Sequence, residues 1–162
     1  MAEDVSGVLF LQFSSRRLQE LASRIDTCLA RLNQEQIWAR NGEHENAVGN
    51  LVLHLCGNVS QWIISSIGGA PDNRQRDAEF SARGEVNGKE LRDRLATTVS
   101  QATAVVSALN TKRLSDRVVI QGTEVSLLDA IYHVVEHFSM HAGQVIFITK
   151  MRTAAPLDFS LE

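Results

Sequence analysis

The sequence predicts an all-α fold, a four-helix bundle, and three observations carry that reading. Apolar residues recur at steps of three and four along four long segments, the pattern of a helix that buries one face. Both prolines, Pro71 and Pro156, fall outside those segments, so no helix interior loses a hydrogen bond or clashes with a pyrrolidine ring. With 162 residues, 44% of them hydrophobic, the chain has the size and apolar content of one domain, spanning 1–162, around a proper core.

The first helix is expected from about Val8 to Leu32, where Leu18, Leu21, Ile25, Leu29 and Leu32 form the buried stripe. The second is expected from about Ala47, capped by Asn46, to Ile67, with Gly68 and Gly69 ending it. The third runs from about Lys89 to Leu109 on Leu91, Leu95, Val99, Ala102, Val106 and Leu109. The fourth opens at Ser126, with Asp129 three residues on as the acid of a capping box, and continues to about Arg152. Its stripe is Leu128, Ile131, Val135, Phe138, Ala142 and Val145, fading at Thr149. Two connections stand out. Residues 117–125 alternate around Gln121-Gly122 and read as a short hairpin or an extended crossover. Residues 68–86 are too many for a simple turn and have the length of a lid or crossover loop; they carry Arg74, Arg76 and Arg83.

A formal net charge of -3 gives no basic footprint, so neither nucleic acid nor an anionic membrane surface is an expected partner. The acidic start and the lack of any apolar run near the roughly 18 residues of a spanning helix argue against a signal peptide or membrane anchor, and the expected compartment is the cytoplasm. Cys28 and Cys56 lie on apolar periodic faces and read as small buried hydrophobes.

Histidines carry the chemistry. His133, His137 and His141 recur every four residues in the fourth helix, a step of about 400° that stacks neighbours one turn apart on nearly one face. Adjacent pairs can chelate one ion; His133 and His141, roughly 12 Å apart along the axis, cannot. Counting phases, His141 falls at the edge of the apolar arc, His137 about 40° further round and His133 about 40° beyond that, so His137 and His141 form the better pair. Gln144 shares their face and can orient an imidazole. Glu136 lies about 100° from His137, which excludes the arrangement of zinc proteases in which a Glu base lies between two such histidines. The second helix carries one polar stripe, Asn50, His54, Asn58 and Gln61, among hydrophobes. Turned inward, such a stripe needs partners, since each unpaired buried group costs on the order of 1 to 3 kcal/mol. A metal held by His54 with His137 and His141, and with Asn58, Gln61, His133 and Gln144 around it, meets that need; a solvated stripe is the alternative. His44, in a polar stretch, reads as an exposed loop residue. Three neutral imidazoles leave open positions on the ion, the pattern of a catalytic or ligand-binding site. Zinc or nickel suits them best, with iron or manganese as alternatives.

At these residues the chain resembles the DinB-like superfamily, over nearly its whole length. The motifs are His54 in NLVLHLCGNVSQW and His137, His141, Gly143 and Gln144 in HFSMHAGQ. The stretches RQRDAEF from Arg74 to Phe80 and AIYHVVEHFSMH from Ala130 to His141 resemble an uncharacterised branch of it. The resemblance implies a bundle with a divalent ion near its middle and a homodimer. Some relatives are S-transferases or isomerases that use a low-molecular-weight thiol, so it also implies a metal that activates a thiol or water, in a transferase or hydrolase. Arg74, Arg76 and Arg83 would then bind an anionic substrate, with Arg76 foremost because a guanidinium takes a carboxylate in two-pronged geometry. The alternatives are a stress protein that binds metal and a small ligand without turnover, and a bundle whose histidines merely satisfy a polar core.

Overall fold

The computed structural model of the protein describes residues 4–157 and Phe159. Helix α1 spans Val5–Arg31, the short α2 Gln34–Trp38, α3 Val48–Val59, α4 Arg76–Ser81, α5 Gly88–Ala108 and α6 Leu127–Thr153; strands β1 (Arg117–Ile120) and β2 (Thr123–Ser126) precede α6. The four long elements are those expected. Helix α1 packs on α5 and α6, and α3 packs on the same two, so α1 and α3 sit on one diagonal of the bundle and α5 and α6 on the other. Apolar stripes from all four meet inside: Leu18 and Ile25, Leu55, Leu91 and Leu95, Ile131 and Phe138 are almost fully buried.

Local chemistry sets the ends. Asp4 Oδ1 accepts from the Gly7 N–H at 3.0 Å, which starts α1 three residues before the expected position. Asn87 caps α5 in the same way, from Glu90 N at 2.9 Å. The Ser126–Asp129 capping box forms as expected: Ser126 Oγ accepts from Asp129 N at 3.0 Å and Asp129 Oδ2 from Ser126 N at 3.2 Å. Gln121 and Gly122 take positive φ of 52° and 79°, the mirror-image turn that suits two twisted strands, and the hairpin pairs Ile120 with Thr123.

Four expectations need correction. Asn46 does not cap α3; Ala47 occupies that position and its N–H donates to Asn50 Oδ1 at 3.1 Å, so the third helical residue does the capping. The α-helix stops at Val59 and continues as a wider π-helical turn, Ser60–Ser65, before Gly69 ends it with φ of 79°. Leu128 is 40% exposed because Leu127, one position earlier, takes the inward place at the first turn of α6. The stripe does not fade at Thr149, which is fully buried with its hydroxyl bonded back to Val145 O at 2.7 Å. The 68–86 connection holds α4, which packs on α3. No helix among the described residues is long and apolar enough to cross a membrane.

Candidate metal centre

Helices α3 and α6 are packed neighbours in the bundle, and their histidines meet between them. One ring nitrogen from each of His54, His137 and His141 lies within 4.8 Å of the others. His137 Nε2 is the hub, 3.1 Å from His54 Nε2 and 3.1 Å from His141 Nε2. Ligand bonds of about 2.0–2.1 Å at angles between right and tetrahedral place neighbouring nitrogens about 2.9–3.4 Å apart, so both spacings fit a common cation.

The far sides of the rings decide which nitrogens face inward. His54 Nδ1 lies 2.9 Å from Glu79 Oε2, and His141 Nδ1 lies 2.6 Å from Gln144 Oε1. Arg74 Nη2 also lies 3.2 Å from His54 Nδ1, but the nearer Glu79 carboxylate is an anion that can only accept, as is the Gln144 oxygen on His141, so each Nδ1 carries the proton and each Nε2 turns a lone pair toward the hub. His137 Nε2 can share a proton with only one of them, which leaves lone pairs crowded together; a cation relieves all three at once. Burial, followed by the neighbouring His141, His54 and His133 and the Arg74 charge, pushes the His137 pKa down to about 3. Burial also lowers His141, outweighing the opposing effect of Gln144. These two imidazoles are therefore neutral at neutral pH, the state a metal ligand requires.

His133 stays outside the trio. Burial lowers its pKa too, against the pull of Glu136. Its ring lies on Trp62, centroids 4.1 Å apart, and stacks on His137 at 5.6 Å. Asn58 is buried one turn beyond His54, and its Oδ1, with His137 Nδ1 and Trp62 Nε1, has no hydrogen-bond partner among the described residues. Gln61 hydrogen-bonds to no histidine among the described residues: it donates to Asp72 Oδ2 at 2.8 Å and accepts from Arg74 Nη1 at 3.0 Å and from Gln121 Nε2 at 2.7 Å. His44 is an exposed loop residue.

The loop arginines are not alike. The Arg74 side chain is only 4% exposed and forks onto Glu79, Nε to Oε1 at 2.8 Å and Nη2 to Oε2 at 3.0 Å. Arg76 is exposed, with its guanidinium 5.1 Å above the Phe80 ring, which in turn packs on His54 at 4.7 Å. Arg83 is exposed and donates to the carbonyls of Phe80 and Ala82, both at 2.9 Å.

Glu79 is the residue that sequence reasoning missed. Burial on its own would raise its pKa, yet hydrogen bonds from His54 and Arg74 bring it below the ordinary carboxylate range, so it is an anion held in a nearly closed setting. A cavity of about 520 Å³ is lined by Gln144 with Leu51, Phe147, Ile148, Met151, Asn41 and Arg152, and another of about 770 Å³ by Gly57, Arg74 and Glu79 among others.

The family model described as a protein of unknown function, DUF1572, matches residues 5–158. No curated protein is a significant match. Among solved structures, a conserved protein from Enterococcus faecalis shares 16% identity at a TM-score of 0.73, covering 95% of this chain and 100% of that one. A DinB-like protein from Bacillus cereus ATCC 10987 shares 13% at 0.70, covering 94% and 95%. The DinB-like protein YjoA from Bacillus subtilis shares 14% at 0.69, covering 90% and 96%. At such identities the likeness concerns the fold. The chain belongs to the DUF1572 family of unknown function and has the helical bundle of DinB-like proteins.

Proposed function

We propose that the protein binds a divalent metal ion, zinc or nickel, through His54, His137 and His141, and that it is a metal-dependent enzyme of S-transferase or hydrolase type. The observation that carries this reading is the convergence of three Nε2 atoms whose outer nitrogens, on His54 and His141, are already committed to Glu79 and Gln144. A cation bound by three neutral ligands keeps its full charge and supplies Lewis acidity, lowering the pKa of a thiol or water at neutral pH. Cys28 and Cys56 are both buried, which supports an external nucleophile, such as a low-molecular-weight thiol, over a protein thiol.

The cavity beside Gln144 supplies an apolar wall for a substrate body. Of the three loop arginines, Arg76 is the one whose exposed guanidinium remains available for an anionic substrate, since Arg74 is committed to Glu79 and Arg83 to backbone carbonyls. The outer face of α6 exposes Tyr132, Met140, Phe147 and Met151, an apolar stripe that supports a homodimer.

The test is metal analysis of protein purified without an affinity tag, followed by turnover assays pairing thiols with electrophilic and hydrolysable acceptors. One ion per chain, lost in His54→Ala, His137→Ala and His141→Ala, together with turnover of any acceptor, supports the enzyme. Metal retention without turnover, but with a small ligand held in native mass spectrometry, replaces it with a binding protein. Failure to retain metal refutes both.

A further inference from the structure

Glu79 lies 25 residues beyond His54 in the chain, on a six-residue helix, yet its carboxylate meets the imidazole at 2.9 Å with both side chains under a tenth exposed. Three independent features put it there. Arg74 grips both carboxylate oxygens with a nearly buried guanidinium, which offsets the cost of burying the charge. Asn50, one turn before His54 on α3, donates to the backbone carbonyls of Glu79 and Ala82 at 2.9 and 3.1 Å and fastens α4 to α3. Gly57, almost one turn after His54, leaves the space: a Cβ there would overlap Glu79 Oε1 and come within 3.1 Å of Arg74 Nε. A helix interior has reason to avoid glycine, so its place opposite the carboxylate is a packing requirement.

We propose that Glu79 is the positioning residue of the metal centre: its carboxylate holds His54 as the Nδ1–H tautomer with Nε2 turned toward His137, and Arg74 and Gly57 hold the carboxylate. This rests on the metal-binding reading above and extends it to residues outside the histidine trio. An ion-pairing role alone would require only Arg74 and Glu79. Placing the same oxygen against His54 Nδ1 gives the carboxylate–histidine arrangement that orients a ligand and raises its basicity.

Two measurements test it. In metal-free protein labelled with 15N-histidine, the ring nitrogens of His54 should show the Nδ1–H form in the parent and lose that bias in Glu79→Ala. A parent His54 protonated on Nε2 overturns the proposal without any variant. In zinc titrations against a competing chelator, Glu79→Ala should weaken binding by roughly 10–100-fold, as removal of such partners does elsewhere. Gly57→Ala, which keeps the carboxylate but displaces it, should fall in the same direction. Circular dichroism of each metal-free variant separates this loss from unfolding; should Glu79→Ala not fold, Gly57→Ala and the parent tautomer still decide. A parent that binds zinc while both variants bind it within about twofold overturns the role of Glu79 and leaves the metal site standing. A parent that takes up neither zinc nor nickel overturns both.

Discussion

Removing one ligand should show its size in heat stability. Structural zinc sites with four protein ligands are worth about 10–16 kcal/mol, so one imidazole accounts for about 3 kcal/mol, or roughly a hundredfold in Kd. His141 gives the site one of its three nitrogens, from a ring already tied to Gln144. With free zinc in excess over both affinities, a hundredfold weaker site forfeits about 2.7 kcal/mol of the stabilisation that binding confers. For a chain of 162 residues, where each kcal/mol moves Tm by about 2–4 °C, the zinc-induced rise in His141→Ala should be about 5–11 °C smaller than in the parent. His133→Ala is the control, because that ring stacks on Trp62 and His137 and lies outside the trio. It should lower the metal-free Tm slightly and leave the zinc-induced rise unchanged. Differential scanning calorimetry with and without zinc measures both, and comparing the rise within each variant removes any effect on the fold itself. A His133→Ala variant that lost the rise while His141→Ala kept it would refute the geometry.

Other consequences follow from burial and capping. Burial pushes the Cys56 thiol up to about 11 from 9.0, so the folded state holds that proton after the unfolded state has released it; stability should fall as pH rises from 9 to 11, by about 2 kcal/mol more in the parent than in Cys56→Ala. Neither cysteine should react with a thiol reagent at pH 8 until denaturant is added, since both are buried. Phe138→Ala, at a fully buried position on α6, should cost about 3–5 kcal/mol in guanidinium unfolding. Ser126→Ala removes the N-cap of α6 and should cost about 1 kcal/mol in the same assay.

What the sequence made legible was whatever rides on a continuous helix. Phases along α6 separated His137 and His141 from His133, and the polar stripe of α3 singled out His54, because helical geometry converts spacing directly into direction. Gln144 followed from the same count and does accept from His141. Glu79 was beyond that reach. It stands in a connection whose path is set by tertiary packing, and no periodicity relates it to His54. Two traces of it were present: Gly57 in a helix interior and Asn50 in an apolar setting. Each has a local explanation in isolation, and only the folded chain joins them. The π-helical turn at Ser60–Ser65 was equally hidden, since its apolar spacing passes for an ordinary helix.

The polar stripe of α3 also fastens a neighbouring segment. Asn50 bonds to the backbone of Glu79 and Ala82, His54 to the Glu79 carboxylate, and Gln61 to Asp72 and Arg74, so three of the four stripe residues fasten the 72–82 segment to α3. Asn58 alone among them has an unpartnered buried oxygen. A connection pinned by a buried ion pair and by two bonds to its backbone is part of the wall, and the length that suggested a lid reflects the α4 helix it contains. Arg74 and Glu79 line a cavity of about 770 Å³ with Gly57, while Gln144 lines the one walled by Leu51, Phe147 and Met151; His137 and His141 are both half-buried and Gln144 is exposed. Gln144 therefore has two tasks that one substitution would disturb together, holding the His141 tautomer and lining a cavity, and Glu79, which bonds His54 and lines the cavity beside Gly57 and Arg74, has the same pair.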